Sequence, residues 1–425
     1  MQMSIKKFIE FKYLINLLIA LLPISFIAGN LLINLNIILI VLFSLFFFNK
    51  SFLNFKYYLI DKVIVLFFLF SFFVGIINYF SFPHPINIFV TENFLKSFTF
   101  LRYLLLYLSI RLIIKNNLFD FKIFYLSSSF CALFVSLDLI FQMVVGVDIF
   151  GNLKTPYKLS GPFGDEQIAG SYLQRFSIFL FFLIPSYLNL KNKNNLIVIL
   201  SIFFVLIFFS MLIAGNKMPI ILFLLMFIFL FLYEKKLRKF AFLFCLMGVV
   251  LFVLVFKNNL QIQDYTLNFL DRVIEIVIFL NEFFIQRQEP NITNTYLKEF
   301  YTGYSVWIDN FFIGGGINSF HINCAKMINY CASHPHNYYL EILAELGIIG
   351  FIIIIIIFLK VFLMIGNKNS LNLNFRNNLM FPFVLVFIAE IFPLKTSGSF
   401  FTTGNATFIF LIIAIIVSLS KKYSN

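Results

Sequence analysis

His334, His336, Asn337, Glu341 and Glu345 all fall within the twelve-residue run His-Pro-His-Asn-Tyr-Tyr-Leu-Glu-Ile-Leu-Ala-Glu. The run leads into an apolar stretch that reads as one unbroken helix to about residue 364. Ionisable groups at the edge of such a stretch are costly to keep near lipid and mark chemistry more often than packing. An imidazole there can take up a proton near neutral pH. His334 precedes Pro335 and is expected to be extended. His336 is expected to open the helix, which makes it the better base of the two. The bland alternative is a histidine that only caps a helix end. Glu341 and Glu345 stand four apart and share a helix face. They can orient a histidine, bind ligand hydroxyls, or pair with a cation on a neighbouring helix.

These residues need a scaffold, and composition says which kind. The chain has 425 residues, 61% of them hydrophobic and only 12% charged. A soluble fold of that length cannot hide so much apolar surface, so the expected class is an all-α, polytopic membrane protein. Apolar runs long enough to span lie at 11–29, 31–48, 62–80, 98–114, 122–145, 172–190, 195–213, 216–233, 239–257, 338–364, 376–395 and 404–420. Basic residues cluster before the first run and after every even-numbered one: Lys6 and Lys7, then Lys50 and Lys56, Arg111 and Lys115, Lys191 and Lys193, Lys235 to Lys239, Lys360 and Lys368, Lys421 and Lys422. Short basic connections are cytoplasmic. The expectation is twelve spans with both termini cytoplasmic, in a single integral membrane domain over 1–425. The net charge of +13 is then a topology signal and no sign of a nucleic-acid partner. The first apolar run has no small-residue cleavage site after it and is expected to stay as a helix.

That topology leaves several cations on the outer face, against the bias. Arg102 and Arg175 lie one turn into the fourth and sixth runs, Lys217 at the tip between the seventh and eighth, Arg272 in a long loop and Lys395 at the end of the eleventh run. Each alone can be snorkelling to headgroups. Several near His336 favour one shared anionic ligand, a pyrophosphate at the membrane surface, which Arg grips by its fork and Lys as a point charge. Within the runs only Asp138 and Glu390 are read as ionisable, which speaks against a transporter with charges at the midplane.

Two outer connections are long. The first, 146–171, is turn-rich and carries Asp165 and Glu166, either a carbohydrate contact or turn chemistry. The second, 258–337, is the large outer loop. It holds a helical-looking stretch with Asp271 and Arg272, a polar break at 286–295, and an amphipathic helix over 296–312 around the only tryptophan, Trp307. Such a helix is expected to lie along the interface, and Gly314-Gly315-Gly316 ends it. Cys324 and Cys331 in this loop are expected to form a disulfide, two free thiols being the alternative, and no spacing suggests zinc. Cys131 and Cys245 are packing residues, and His84 and His321 ordinary loop residues.

The segment Trp307…Phe311-Phe312-Ile313-Gly314-Gly315-Gly316-Ile317-Asn318-Ser319-Phe320, with His334-Pro335-His336-Asn337-Tyr338-Tyr339-Leu340-Glu341 and Glu345-Leu346-Gly347, resembles the O-antigen ligase and polymerase superfamily. The twelve-run layout with one large loop before the tenth agrees along the chain. The resemblance implies an enzyme of the bacterial inner membrane whose site faces the periplasm. It implies transfer of a glycan from undecaprenyl pyrophosphate to an acceptor hydroxyl, without metal, cofactor or nucleotide. His336 falls at the family's catalytic histidine and Arg175 looks like a phosphate-binding arginine. Lys217 stands where relatives commonly carry Arg. His334, Asn337, Glu341, Asp165 and Glu166 are then substrate-binding candidates. Before Trp307 this chain has Gly303, Tyr304, Ser305 and Val306 where relatives often place an Arg, so Arg272 or Arg102 is the candidate to stand in.

Within that class the expected activity is an O-antigen ligase acting on lipid A-core. The alternative is a polymerase whose acceptor is a second lipid-linked repeat. A flippase or transporter of lipid-linked saccharide is the reading from another class.

Overall fold

The computed structural model describes residues 5–53, 57–81, 88–155, 158–187, 193–233, 238–258, 260–281, 295–327, 331–366, 379–395 and 398–422. His84 and most of the polar break at 286–295 lie outside them. The described residues are mostly helical: α1 Ile5–Ala28, α2 Asn30–Leu53, α3 Leu59–Ser81, α4 Ile88–Phe100, α5 Arg102–Lys115, α6 Phe121–Val145, α7 Ala169–Phe176, α8 Ile178–Tyr187 and α9 Lys193–Ala214. Then follow α10 Lys217–Tyr233, α11 Arg238–Asn258, α12 Leu260–Asn281, α13 Thr295–Asp309, α14 Phe320–Met327, α15 Tyr338–Ile365, α16 Phe381–Glu390 and α17 Thr403–Lys422. Among the described residues the only β pairing is an isolated bridge between Val147 and Leu153.

Among the described residues eight stretches are long and apolar enough to cross a membrane, including Thr91–Lys115, Tyr338–Ile365 and Thr403–Ser420. Ala169–Pro185, Lys217–Leu230, Phe242–Asn258 and Phe381–Glu390 are shorter apolar helices. Each of the twelve expected runs falls on one of these, and the molecule is an all-α polytopic membrane protein. Its core is aromatic. Phe67, Phe68, Phe100, Phe400 and Phe410 meet among α3, α4, α17 and the chain before α17. A second cluster of Phe181, Phe204, Phe223, Phe227 and Phe244 joins α8 to α11. Local signals set the helix ends. Asp120 caps α6 by accepting from the Lys122 and Ile123 amides at 2.9 and 3.4 Å, and Gly146 closes it with φ of 91°.

Three expectations need correcting. The stretch after Tyr338 is not one unbroken helix. Gly347 takes φ of 64° and ψ of −172° and interrupts α15, a conformation open in practice to glycine alone. The backbone groups freed there pair with the loop after α13. Gly315 and Gly316 amides donate to the Ala344 and Glu345 carbonyls at 3.1 and 2.8 Å, and Ile348 and Ile349 amides donate to the Phe311 and Phe312 carbonyls at 2.9 and 3.3 Å. Non-helical backbone at membrane depth survives only where protein satisfies it. Neither side of this interlock has room for a side chain. A Cβ on Gly347 would stand 2.3 Å from the Phe312 carbonyl carbon, and one on Gly314, 2.3 Å from that of Glu345.

The second correction concerns charge. Arg111 is no loop cation: it is 4% exposed on α5, and its Nε and Nη2 donate to Asp61 of α3 at 3.2 and 3.1 Å. The Tyr107 hydroxyl donates to the same carboxylate at 2.5 Å. Buried ionisable groups on the apolar helices therefore include Asp61, Arg111, Arg175, Glu341 and Glu345 beside Asp138 and Glu390. The third is that Arg102 lies well inside the apolar stretch Thr91–Lys115, at the α4–α5 junction, and not one turn from its end.

Candidate functional site

The segment bearing both histidines is fixed at its two ends. At the start Cys331 is joined to Cys324 of α14 by a disulfide, Cα atoms 5.6 Å apart. Cys324 sits in a small core with Val306 of α13, Phe320 and Ala344 of α15. At the end Asn337, rather than His336, caps α15. Its Oδ1 accepts from the Tyr339 and Leu340 amides at 3.0 and 3.2 Å, while its Nδ2 donates to the Pro393 carbonyl at 2.8 Å. The carboxamide is thus committed to holding the chain. His336 precedes the cap with φ of 49°, a left-handed backbone uncommon for a non-glycine residue and worth reading at a candidate site. Its ring lies 4.2 Å from that of His334, and the Ser333 hydroxyl is 2.9 Å from His334 Nδ1. The His336 side chain is 36% exposed, open enough for a proton donor to reach.

A carboxylate that sequence reading passed over faces His336. Glu299 Oε1, on α13, stands 3.8 Å from His336 Nε2. Burial pushes this carboxyl up to about 7.

On the other side of α15's first turn lies a buried charged cluster. Arg175 on α7 grips Glu390 at the end of α16, Nε to Oε2 at 3.1 Å and Nη2 to Oε1 at 2.5 Å. Nη2 also donates to Asn405 Oδ1 at 2.6 Å, and the guanidinium lies 4.9 Å over the Phe408 ring. The same Glu390 oxygen receives Lys395 Nζ at 2.8 Å and the Tyr338 hydroxyl at 2.9 Å. Two cations around one carboxylate leave one surplus positive charge. Tyr338, two residues beyond His336, thus ties the first turn of α15 to the carboxylate that Arg175 grips. The chain from 391 to 400 wraps the same turn: the Tyr339 hydroxyl donates to the Ile391 carbonyl, and the Phe400 amide to Glu341 Oε2 at 2.5 Å. Glu345 Oε1 accepts from the Phe320 amide at 3.4 Å. Both glutamates therefore bond to backbone, and neither pairs with an arginine or lysine in the ion pairs described.

The structure groups the remaining candidates less tightly. Arg102 Nη2 donates to Thr403 Oγ1 at 3.3 Å and to the Tyr103 hydroxyl at 2.6 Å. It therefore touches the start of α17, two residues from Arg175's partner Asn405. Lys217 begins α10 beside Asn216, which accepts from the Gly170 amide at 3.2 Å and donates to the Gln167 carbonyl at 3.0 Å. The tip holding Lys217 is thereby locked onto the entry to α7. Asp165 and Glu166 are exposed in the turn before α7, where the Glu166 amide donates to the Phe163 carbonyl at 3.2 Å. Arg272 lies on α12, its side chain outside the described residues. Among the described residues no group of three or more His, Cys, Asp or Glu is placed to hold a metal ion.

His336 thus lies just before an interrupted apolar helix, α15, whose Tyr338 reaches the Glu390 carboxylate shared by Arg175 and Lys395. Residues 202–355 match the family model described as O-antigen ligase, which supports the resemblance to the O-antigen ligase/polymerase superfamily. The match runs from within α9 to within α15. It includes α13, both histidines and Gly347, while Arg175 precedes it. No curated protein matches the chain.

Proposed function

We propose that this protein transfers a glycan from undecaprenyl pyrophosphate to an acceptor hydroxyl on the periplasmic face of the bacterial inner membrane, as an O-antigen ligase with lipid A-core as acceptor. The family supports membrane glycan transfer of the ligase or polymerase type, and the residues supply a mechanism. The acceptor O–H gives its proton to the His336 imidazole as its oxygen attacks the anomeric carbon. The bond from that carbon to the pyrophosphate oxygen breaks, and the electron pair leaves with the phosphate. Negative charge developing there is met by the surplus positive charge of Arg175 and Lys395 around Glu390, with Lys217 and Arg102 as further cations. His336 then returns its proton to water. The donor carries its own leaving group, so the chemistry calls for no nucleotide.

The observation that carries this reading is the placement of the accessible imidazole two residues from Tyr338, whose hydroxyl bonds the carboxylate that Arg175 and Lys395 share. The test is genetic, in a strain whose pathway uses this protein. Deletion is expected to leave lipid A-core without attached glycan while long lipid-linked chains accumulate. Core carrying a single repeat would instead identify a polymerase. His336→Ala and Arg175→Ala are each expected to abolish transfer while the protein still inserts. Wild-type product from His336→Ala would overturn the base assignment.

A further inference from the structure

We propose that Glu299 is the positioning residue of His336: it takes the Nε2 side of the ring, holds the imidazole in one orientation and tautomer, and leaves Nδ1 as the proton acceptor. This deepens the reading of His336 as a base and rests on it. Helix α13 is built to bring the carboxylate there. Leu297, Glu299, Thr302 and Val306 are its buried positions, and Gly303, one turn beyond Glu299, lets the helix approach closely. A Cβ on Gly303 would meet Pro335 Cβ at 3.1 Å and Leu340 Cβ at 3.4 Å. The helix therefore lies flat on the His-Pro-His segment, and Glu299 faces the imidazole at 3.8 Å. Glu299 is only 7% exposed, and its Oε2 has no hydrogen-bond partner among the described residues.

A buried carboxylate is expensive unless something nearby carries positive charge, and the one salt-bridge partner described for Glu299 is His336. A carboxylate behind an imidazole fixes its tautomer and steadies the imidazolium once the proton arrives. Burial raises this carboxyl to about 7, the direction expected of a carboxylate kept from water. Other titratable groups on the surrounding elements include His334 on the same segment, Lys298 and Tyr301 on α13, Glu341 and Glu345 on α15, and the Glu390 cluster with Lys395 and Arg175 beyond Tyr338.

The chain has four histidines, so the test can read one ring directly. Full-length protein with 15N-labelled histidine, in lipid nanodiscs, is titrated by NMR, and the His336 signal is assigned by its loss in His336→Asn. A carboxylate at this distance favours the imidazolium. Glu299→Gln, close to isosteric, is therefore expected to lower the His336 midpoint by roughly one pH unit, and Glu299→Asp to restore part of the shift. An unchanged midpoint in Glu299→Gln overturns the pairing whatever the enzyme does. In cells, Glu299→Gln is expected to reduce glycan transfer at least tenfold at normal protein level. Full transfer by Glu299→Gln alongside none by His336→Ala would also overturn the positioning role and leave the base intact. Full transfer by both would instead remove the base reading itself.

Discussion

At the residue scale, the chemistry-bearing side chains divide into one that is open and several that are spent on holding. His336 is a third exposed, while Asn337, Glu341 and Tyr338 are buried and bonded to the 390–400 segment. Glu390 is the joint between them. It is shared by two buried cations, and removing its charge leaves both uncompensated. Glu390→Gln is expected to destabilise the protein by roughly 3–5 kcal/mol, read as a lower Tm in detergent, with transfer lost. Glu390→Asp, which keeps the charge but shortens the reach, is expected to retain part of both. His336 was legible in the sequence because a histidine beside an apolar run has few cheap explanations. Glu299 was not. One acidic residue on an amphipathic helix looks like a solvated face until the partner across the gap is seen. Arg175 stood out in the sequence as a cation near the end of an apolar run, but its partner lies 215 residues away and no spacing reveals such a pair.

At the element scale, α15 is made by the loop that docks on it as much as by its own sequence. The glycine triplet signalled the end of α13, yet nothing in its composition showed that it would fill the break at Gly347. Gly347→Ala adds a Cβ 2.3 Å from the Phe312 backbone at a positive φ. Strain and overpacking together are expected to cost more than about 3 kcal/mol, measured as loss of folded protein in detergent. Gly366→Ala, on the same helix's end with its nearest contact at 3.6 Å, serves as the control and is expected to be near neutral. The disulfide acts on the same segment from its other end. Cys324→Ser is expected to lower stability by roughly 2–3 kcal/mol in the chain-entropy account. Mass spectrometry of unreduced peptides from the wild type is expected to find Cys324 linked to Cys331, and alkylation of both without reductant would refute the link.

At the scale of the whole molecule, hydropathy made the architecture legible, because apolar runs of spanning length have almost no other use. Pairing between distant helices was hidden. Arg111 read as a topogenic loop charge because it closes an apolar run, whereas the fold turns it inward to Asp61, 50 residues earlier. That pair staples α3 to α5, and Arg111 Nη1 reaches Ser418 of α17 at 3.3 Å. Asp61→Asn alone is expected to cost roughly 3–5 kcal/mol by stranding the guanidinium. The double change Asp61→Asn with Arg111→Leu is expected to recover much of that, as seen by thermal unfolding in the same detergent. Additive losses would show that the two side chains act separately.

The four backbone bonds across the Gly347 break also decide where relatives of this protein can be spliced. Residues 311–316 and 344–349 complete each other's hydrogen bonding, so neither has a satisfied backbone without its counterpart. Chimeras that exchange the 295–337 segment alone should misfold, whereas those that carry the graft through residue 349 should keep it intact. The smallest transplantable unit is accordingly α13 and α14 together with the start of α15 through residue 349, and a cut at the first residue of α15 divides it.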